Sequence, residues 1–397
     1  MSDIKIVKIN RNGEGAGKYD AQFTVEKARQ VKAFHESIPE YAETPLARLD
    51  DYAQAHGLGT VYVKDESFRF DLNAFKALGG SYCIAGYIAK KLGLDPSEIT
   101  FDKLTDPSVK EKLGDLTFVT CTDGNHGRGI AWTAQQMGVK SVVYMPKGSA
   151  KERLDNIRAC GAEASITDMN YDDAVRYANE MAQKNGWVMV QDTAWEGYEE
   201  LPLGIMQGYM TMALEAAETF EKLPTHIFLQ AGVGAMAGAV TGFFTDYYKK
   251  KGLPRPVITI VEARVADCYW RTVSADDGKI HNAGGDLQTI MAGLACGEPC
   301  TIGWEVLKNH ADFFASVTDD VAACGMRALG RPTGGDVRVI SGESGAAPFG
   351  FVTEVMEKKE YADIRKMLGL GPKSVCLFFS TEGATDRANY KRILGIK

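Results

Sequence analysis

The chain has 397 residues, 45% of them hydrophobic and 24% charged, with a formal net charge of -7 and no low-complexity or linker tract, a composition that suits two domains or one large α/β unit and excludes a disordered or fibrous protein. It holds no basic block of the kind that tracks a phosphate backbone, which argues against a nucleic-acid partner. The opening MSDIKIVKINRNGEG carries charge throughout and lacks the apolar core of a signal peptide, so a cytoplasmic location is expected.

In chain order, TVYVK (60–64) reads as a strand, and the segment DLNAFKALGG (71–80) then opens a helix at Lys76. A lysine between an aromatic and a run of small residues reads either as a surface residue whose stem lies over Phe75 or as a chemically employed amine. Gly79 and Gly80 leave room for another backbone or a ligand to approach. From FVTC (118–121) onward, strands (SVVYMP, EASIT, WVMVQ) alternate with helices (GRGIAWTAQQMG, AKERLDNIRACG, YDDAVRYANEMAQKNG). That alternation implies βαβ units and a parallel sheet. An amphipathic helix is expected from about Glu199 to Phe220, and a second series follows: HIFLQA, a glycine turn, a helix, and PVITIVEA. After a less regular stretch, VRVIS, a helix from about Gly345 and the strand SVCLFFS close the chain. Two series joined by one long helix predict two open, mostly parallel twisted sheets flanked by helices, with the active site in the cleft between them.

Residues 227–244 (IFLQAGVGAMAGAVTGFF) are long enough for a membrane span but are broken by Gln230 and a series of glycines, so strand, turn and helix is the better reading and no membrane partner is expected. The eight cysteines are dispersed, as expected of free core thiols. Cys296 and Cys300 form a CxxxC without a His/Cys cluster at zinc spacing, so no metal is expected. Spacing alone leaves open a disulfide between Cys268 and either of them.

Ligands of open α/β sheets gather at the carboxyl ends of the strands. Four turns there are unusual: TDGNHG (122–127), Asp192 after WVMVQ, Gly232-Val233-Gly234-Ala235-Met236-Ala237-Gly238 after HIFLQA, and Ser380-Thr381-Glu382-Gly383 after CLFF. The glycine turn opens a helix directly after a strand and suits a phosphate. It also fits GxGxxA, with Glu262 ending the next strand where a ribose-binding acid belongs, so a nicotinamide-dependent oxidoreductase is a rival. That rival leaves Lys76, TDGNHG and STEG unused. Pyridoxal 5'-phosphate uses all four features: a lysine for the Schiff base, a phosphate cradle, a partner for the ring hydroxyl and one for the ring nitrogen.

Together, AFKALGG, DGNHG, GVGAMAG and STEGATD resemble the fold type II pyridoxal-phosphate enzymes, the group of tryptophan synthase β, threonine dehydratase and serine racemase. The forms NAFKALGGSY, TDGNHGRGIAW and STEGATD resemble the diaminopropionate ammonia-lyase family within it, from about Thr44 to the end of the chain. The resemblance implies that Lys76 carries the cofactor, with Phe75 near the ring, Asn125 at the ring hydroxyl and Ser380 at the ring nitrogen. It gives the phosphate to the N–H groups of Gly232, Val233, Gly234, Ala235 and Met236, and the substrate carboxylate to the turn holding Thr122 and His126. It further implies a homodimer with a small amino-acid substrate, a large unit of residues 1–85 and 204–397, and a small unit of residues 86–203. Ala74 stands where dehydratases of the group carry serine, and Asp123 stands where serine racemase has its second base. Asp123, with Asp192, suits a substrate bearing a second ammonium. The expected activity is elimination of D- and L-2,3-diaminopropionate to pyruvate and two ammonia; a serine/threonine dehydratase and a non-catalytic cofactor binder are the alternatives.

Overall fold

Strands buried on both faces are written as unbroken apolar runs. The computed structural model describes residues 2–10, 17–95, 99–122 and 124–396, and in it the longest of these runs occupy the middle of a seven-stranded sheet. In spatial order the strands are β1 (Ile4–Lys8), β10 (Phe313–Val317), β9 (Val257–Ala263), β8 (His226–Gln230), β11 (Val375–Ser380), β3 (Thr60–Asp65) and β2 (Leu46–Arg48), numbered along the chain. The inner strands are parallel; β1 and β2 are antiparallel to their neighbours. These two edges are also the least buried strands, and the lysines of β1 keep its open side in water. The second sheet is four-stranded and wholly parallel, in the order β6 (Glu163–Ile166), β5 (Lys140–Met145), β4 (Thr117–Cys121), β7 (Val188–Met189).

Alternate residues of the large sheet sort into two cores. Val61, Val63, Phe228, Cys376 and Phe378 face a core closed by the helix Glu343–Glu357. Tyr62, Ile227, Leu229, Leu377 and Phe379 face the other core, which runs without a break into Phe118, Val119 and Val143 of the small sheet. The helices Lys76–Leu92 and Glu200–Thr219 carry the chain out to the small sheet and back, and they meet backbone to backbone. A Cβ on Gly208 would lie 2.4 Å from the Leu78 carbonyl oxygen, and one on Gly79 would lie 2.5 Å from the Tyr209 ring. Gly79 and Gly80 thus admit neighbouring helices rather than a ligand: Gly80 faces Ile130 of the helix Asn125–Gln136.

Several expectations change. The Glu200–Thr219 helix is buried around nearly its whole circumference rather than amphipathic, because the helices Val25–Glu36, Lys76–Leu92 and Ala235–Lys250 pack on it. VRVIS (337–341) is not a strand: it has alternating residues but no partner in either sheet. FFASV, inside the stretch read as irregular, supplies β10. Only two residues of WVMVQ pair, as β7. All eight cysteines are free thiols, seven of them buried. Among the described residues no cluster of potential metal ligands occurs, and no helix is long and apolar enough to cross a membrane.

Candidate active site

The approach to Lys76 is bent. Phe70, Asp71 and Asn73 have φ of 50°, 54° and 60°, a region that Asp and Asn tolerate better than most residues and that strains a phenylalanine. The bend is held by the turn after β11: Phe75 N–H donates to the Thr381 carbonyl at 3.1 Å, Gly383 N–H donates to the Asn73 carbonyl at 3.0 Å, and Ala74 bridges Glu382. NAFK and STEG, 308 residues apart at the Ala74–Glu382 bridge, are two sides of one clamp. Lys76 emerges as the first residue of its helix, with Nζ 5.6 Å from the centre of the Phe75 ring.

A cleft opens at this point. It is lined by Phe75, Lys76, Asn125, His126, Asp192 and the whole turn from Gly232 to Met236. Asp192 lies in the short loop after β7, pinned where Tyr198 Oη donates to the Met189 carbonyl (2.8 Å) and accepts from Gln191 N–H (2.9 Å). Its carboxylate is 1% exposed and pairs with the Lys76 ammonium. Burial works against the charged carboxylate, but the Lys76 charge, followed by His126, outweighs it and holds Asp192 below the usual carboxylate range. His126 Nε2 donates to the Val190 carbonyl at 2.9 Å, which fixes its tautomer.

The turn after β8 is built to present N–H groups. Gly234 sits at φ +85° as the N-cap of the helix Ala235–Lys250, whose first turn leaves its amides without intrahelical acceptors. The Val233 carbonyl is drawn away from the cleft by Tyr269 Oη and Cys300 N–H, each at 2.7 Å. A Cβ on Gly232 would meet the Gly293 carbonyl at 2.7 Å, and one on Gly234 would meet Tyr269 Oη at 2.1 Å, so no side chain can fill the cradle. A ring of N–H groups at a helix N-terminus fits a phosphate dianion. A lysine amine on the same cleft fits the aldehyde of pyridoxal phosphate.

Other expected residues stand elsewhere. Thr122 does not line the cleft; its Oγ1 accepts from Gly124 N–H (2.9 Å) and Gly127 N–H (3.0 Å) and so shapes the turn. Ser380 is not among the lining residues either, although its neighbour Thr381 is; Ser380 Oγ is buried without a hydrogen-bond partner among the described residues, while Thr381 Oγ1 accepts from Gln230 Nε2 at 2.7 Å. Asp123 lies outside the described residues. Glu262, the acid of the dinucleotide rival, turns away from the cleft and accepts from Tyr269 N–H (2.8 Å) and Trp270 N–H (2.7 Å) at the start of the next helix. Burial pushes it up to about 8. It is a helix cap, not a ribose ligand.

The cleft also holds Tyr171, Gln230, Cys296, Ser344 and Glu382, for which motif reading gave no role. Gln230 carried a signal, as a polar residue ending an apolar strand. Tyr171 and Ser344 enter only because helices from distant parts of the chain end at the cleft.

A cleft with these features invites comparison with known proteins. The family model for pyridoxal-phosphate dependent enzymes matches residues 38–365. The chain is 51% identical over 370 residues to the diaminopropionate ammonia-lyase of Salmonella typhimurium, covering 92% of this chain and 91% of that protein. It is 50% identical over 381 residues to that of Escherichia coli K12, covering 95% and 94%. The crystal structure of the Escherichia coli diaminopropionate ammonia lyase in complex with an aminoacrylate-PLP azomethine reaction intermediate superposes with a TM-score of 0.89 at 46% identity, over 98% of this chain and 96% of that one. Maize serine racemase shares the fold, with a TM-score of 0.68 at 18% identity. With a lysine and an N–H cradle on one cleft and half of its residues shared with these relatives, the chain belongs to the pyridoxal-phosphate dependent enzymes and, among them, to the diaminopropionate ammonia-lyase family.

Proposed function

We propose that this chain eliminates both amino groups of 2,3-diaminopropionate, consuming one water and giving pyruvate and two ammonia. The observation that carries the reading is the pair of the half-buried Lys76 with the buried Asp192 on the cleft that also holds the N–H cradle. Bound there, pyridoxal phosphate supplies an electron sink conjugated to the substrate Cα. The chain's residues do the rest. The amides of Gly232, Val233, Gly234, Ala235 and Met236 hold the phosphate, Asn125 meets the ring hydroxyl, Ser380 offers its hydroxyl to the ring nitrogen, and Phe75 packs beside the ring. Thr122 and His126 shape the turn that receives the substrate carboxylate. Lys76 takes the Cα proton of the L isomer from one face, and Asp123 takes that of the D isomer from the other. Asp192 faces the leaving ammonium, a charge that serine does not carry. In this reading the division into residues 1–85 with 204–397 and residues 86–203 places the cofactor on the large unit and the substrate-side turn on the small one. The enzyme acts in the cytoplasm as a homodimer, a reading its free cysteines suit; light scattering measures the dimer.

The test is pyruvate release from D- and L-diaminopropionate and from serine, with borohydride reduction and peptide mapping of the labelled lysine. Label on Lys76 and turnover of both diaminopropionate isomers are expected. Asp123→Asn should abolish turnover of the D isomer and spare much of the L. Label on another lysine, or turnover of serine alone, overturns the reading, and a matched loss on both isomers overturns the role of Asp123.

A further inference from the structure

Glu382 is the cleft residue with the most fully built surroundings. It is 2% exposed and lies in the turn after β11. Its Oε2 accepts from Asn125 Nδ2 and from Thr385 Oγ1 (3.4 Å), and its Oε1 accepts from Ser344 N–H at 3.3 Å. Its own backbone is fixed as firmly: the carbonyl accepts from Gly342 N–H at 2.8 Å, and the residue bridges Ala74 on the approach to Lys76. The carboxylate is therefore held by two donors besides Asn125 and cannot swing to suit it.

A carboxylate only accepts hydrogen bonds, whereas an asparagine amide has a donor end and an acceptor end of nearly the same shape. The end of Asn125 that faces Glu382 must be the nitrogen. This leaves one N–H of that nitrogen to point elsewhere and settles the direction of Oδ1. A second buried acid, Glu343, stands close by, where burial and then the Glu382 charge push it up to about 7. A carboxylate at Glu382 makes a charge-assisted bond to the amide.

We propose that Glu382 is a positioning residue that locks the Asn125 amide so that the second N–H of its nitrogen, not its oxygen, is offered to the cofactor ring, and so sets both the affinity for pyridoxal phosphate and the absorption of the bound cofactor. The inference rests on the function proposed above, in which Asn125 meets the ring hydroxyl. Without Glu382 the amide is free to turn and offer its oxygen to a ring oxygen, which repels it.

The experiment titrates apoenzyme with pyridoxal phosphate and records the visible spectrum of the bound form for wild type, Glu382→Leu, Glu382→Gln, Asn125→Ala and Glu382→Leu with Asn125→Ala. Glu382→Leu should raise the cofactor Kd about ten-fold, the scale of one charge-assisted hydrogen bond, and shift the visible band. Glu382→Gln, which can still offer an oxygen to Asn125, should recover most of the affinity. In the Asn125→Ala background Glu382→Leu should add about two-fold or less, because the residue through which it acts is gone. The proposal falls if Glu382→Leu keeps the wild-type Kd and spectrum, or if it costs as much without Asn125 as with it. The second of these results assigns Glu382 a structural role alone, whereas equal melting temperatures of the apoenzymes support the positioning role. Wild-type protein that takes up no cofactor removes the functional reading and this inference with it; wild type that binds and turns over diaminopropionate while the double-variant test fails removes only this inference.

Discussion

Asp192 spends its charge on Lys76 when nothing else is bound, and it is too deeply buried to find water instead. With Lys76 engaged by the cofactor as proposed, the carboxylate would need a new cation, and an ammonium on the substrate β-carbon would provide it. Asp192→Asn should therefore lower kcat/KM for diaminopropionate about ten-fold more than for serine, measured as pyruvate release on the two substrates in parallel. An equal loss on both would make Asp192 a support for Lys76 only. Much of this site was legible residue by residue, because Lys76, Asn125, Asp192 and the glycine turn each follow a strand whose apolar run is unmistakable. Glu382 was visible within STEG, yet its task depends on a contact with Asn125 across 257 residues, which no local pattern encodes. Thr122 was visible within TDGNHG, but that its hydroxyl accepts from two amides of its own turn was not.

At the scale of elements, glycines decide how closely helices approach. Gly208→Ala would drive a methyl group into the Leu78 carbonyl oxygen and the Gly79 Cα, both backbone atoms that cannot step aside. It should cost about 1–3 kcal/mol of stability in denaturant unfolding. Gly86 is on the same helix as Gly79 but exposed, with nothing within 4 Å of a Cβ built on it. Gly86→Ala should stabilise by about 1 kcal/mol, the helix-propensity gain alone. Both glycines look alike in the sequence, since propensity is a local property and the approach of a second helix is not. The same reason explains the elements misread: VRVIS alternates as a strand should but finds no neighbour, and FFASV pairs only because β9 and β1 flank it.

At the scale of the whole molecule, four fully buried charges join the segment before Lys76 to the helix that returns from the small sheet. Arg69 donates to Glu66 (2.9 Å) and to Glu215 (2.7 and 2.9 Å), Lys64 pairs with Glu215, and Tyr41 Oη donates to Glu215 at 2.7 Å. Two cations face two anions. Burial opposes the charge on Glu215, but Arg69, and after it Lys64, hold it down at about 2. A carboxylate whose native value lies below its usual 4.5 contributes stability that is complete above about pH 4.5 and is lost as the pH falls toward about 2. Glu215→Gln leaves two buried cations with one anion and should destabilise by about 3–5 kcal/mol at neutral pH. The gap from wild type should narrow in melts taken below about pH 4, where the native carboxylate begins to lose its advantage.

The order of strands in the large sheet has a consequence for how the protein is made. β11, last of the strands to leave the ribosome, is seated between β8 and β3 near the centre of the sheet. Until it arrives, β8 and β3 have no bond to one another, and each shows an open, apolar edge of the kind that seeks other chains. The clamp between NAFK and STEG is missing as well, so Lys76 has no fixed place. The cofactor pocket thus waits for the β11 segment: a nascent chain halted before Val375 would carry every other cleft motif and still be sticky and empty-handed.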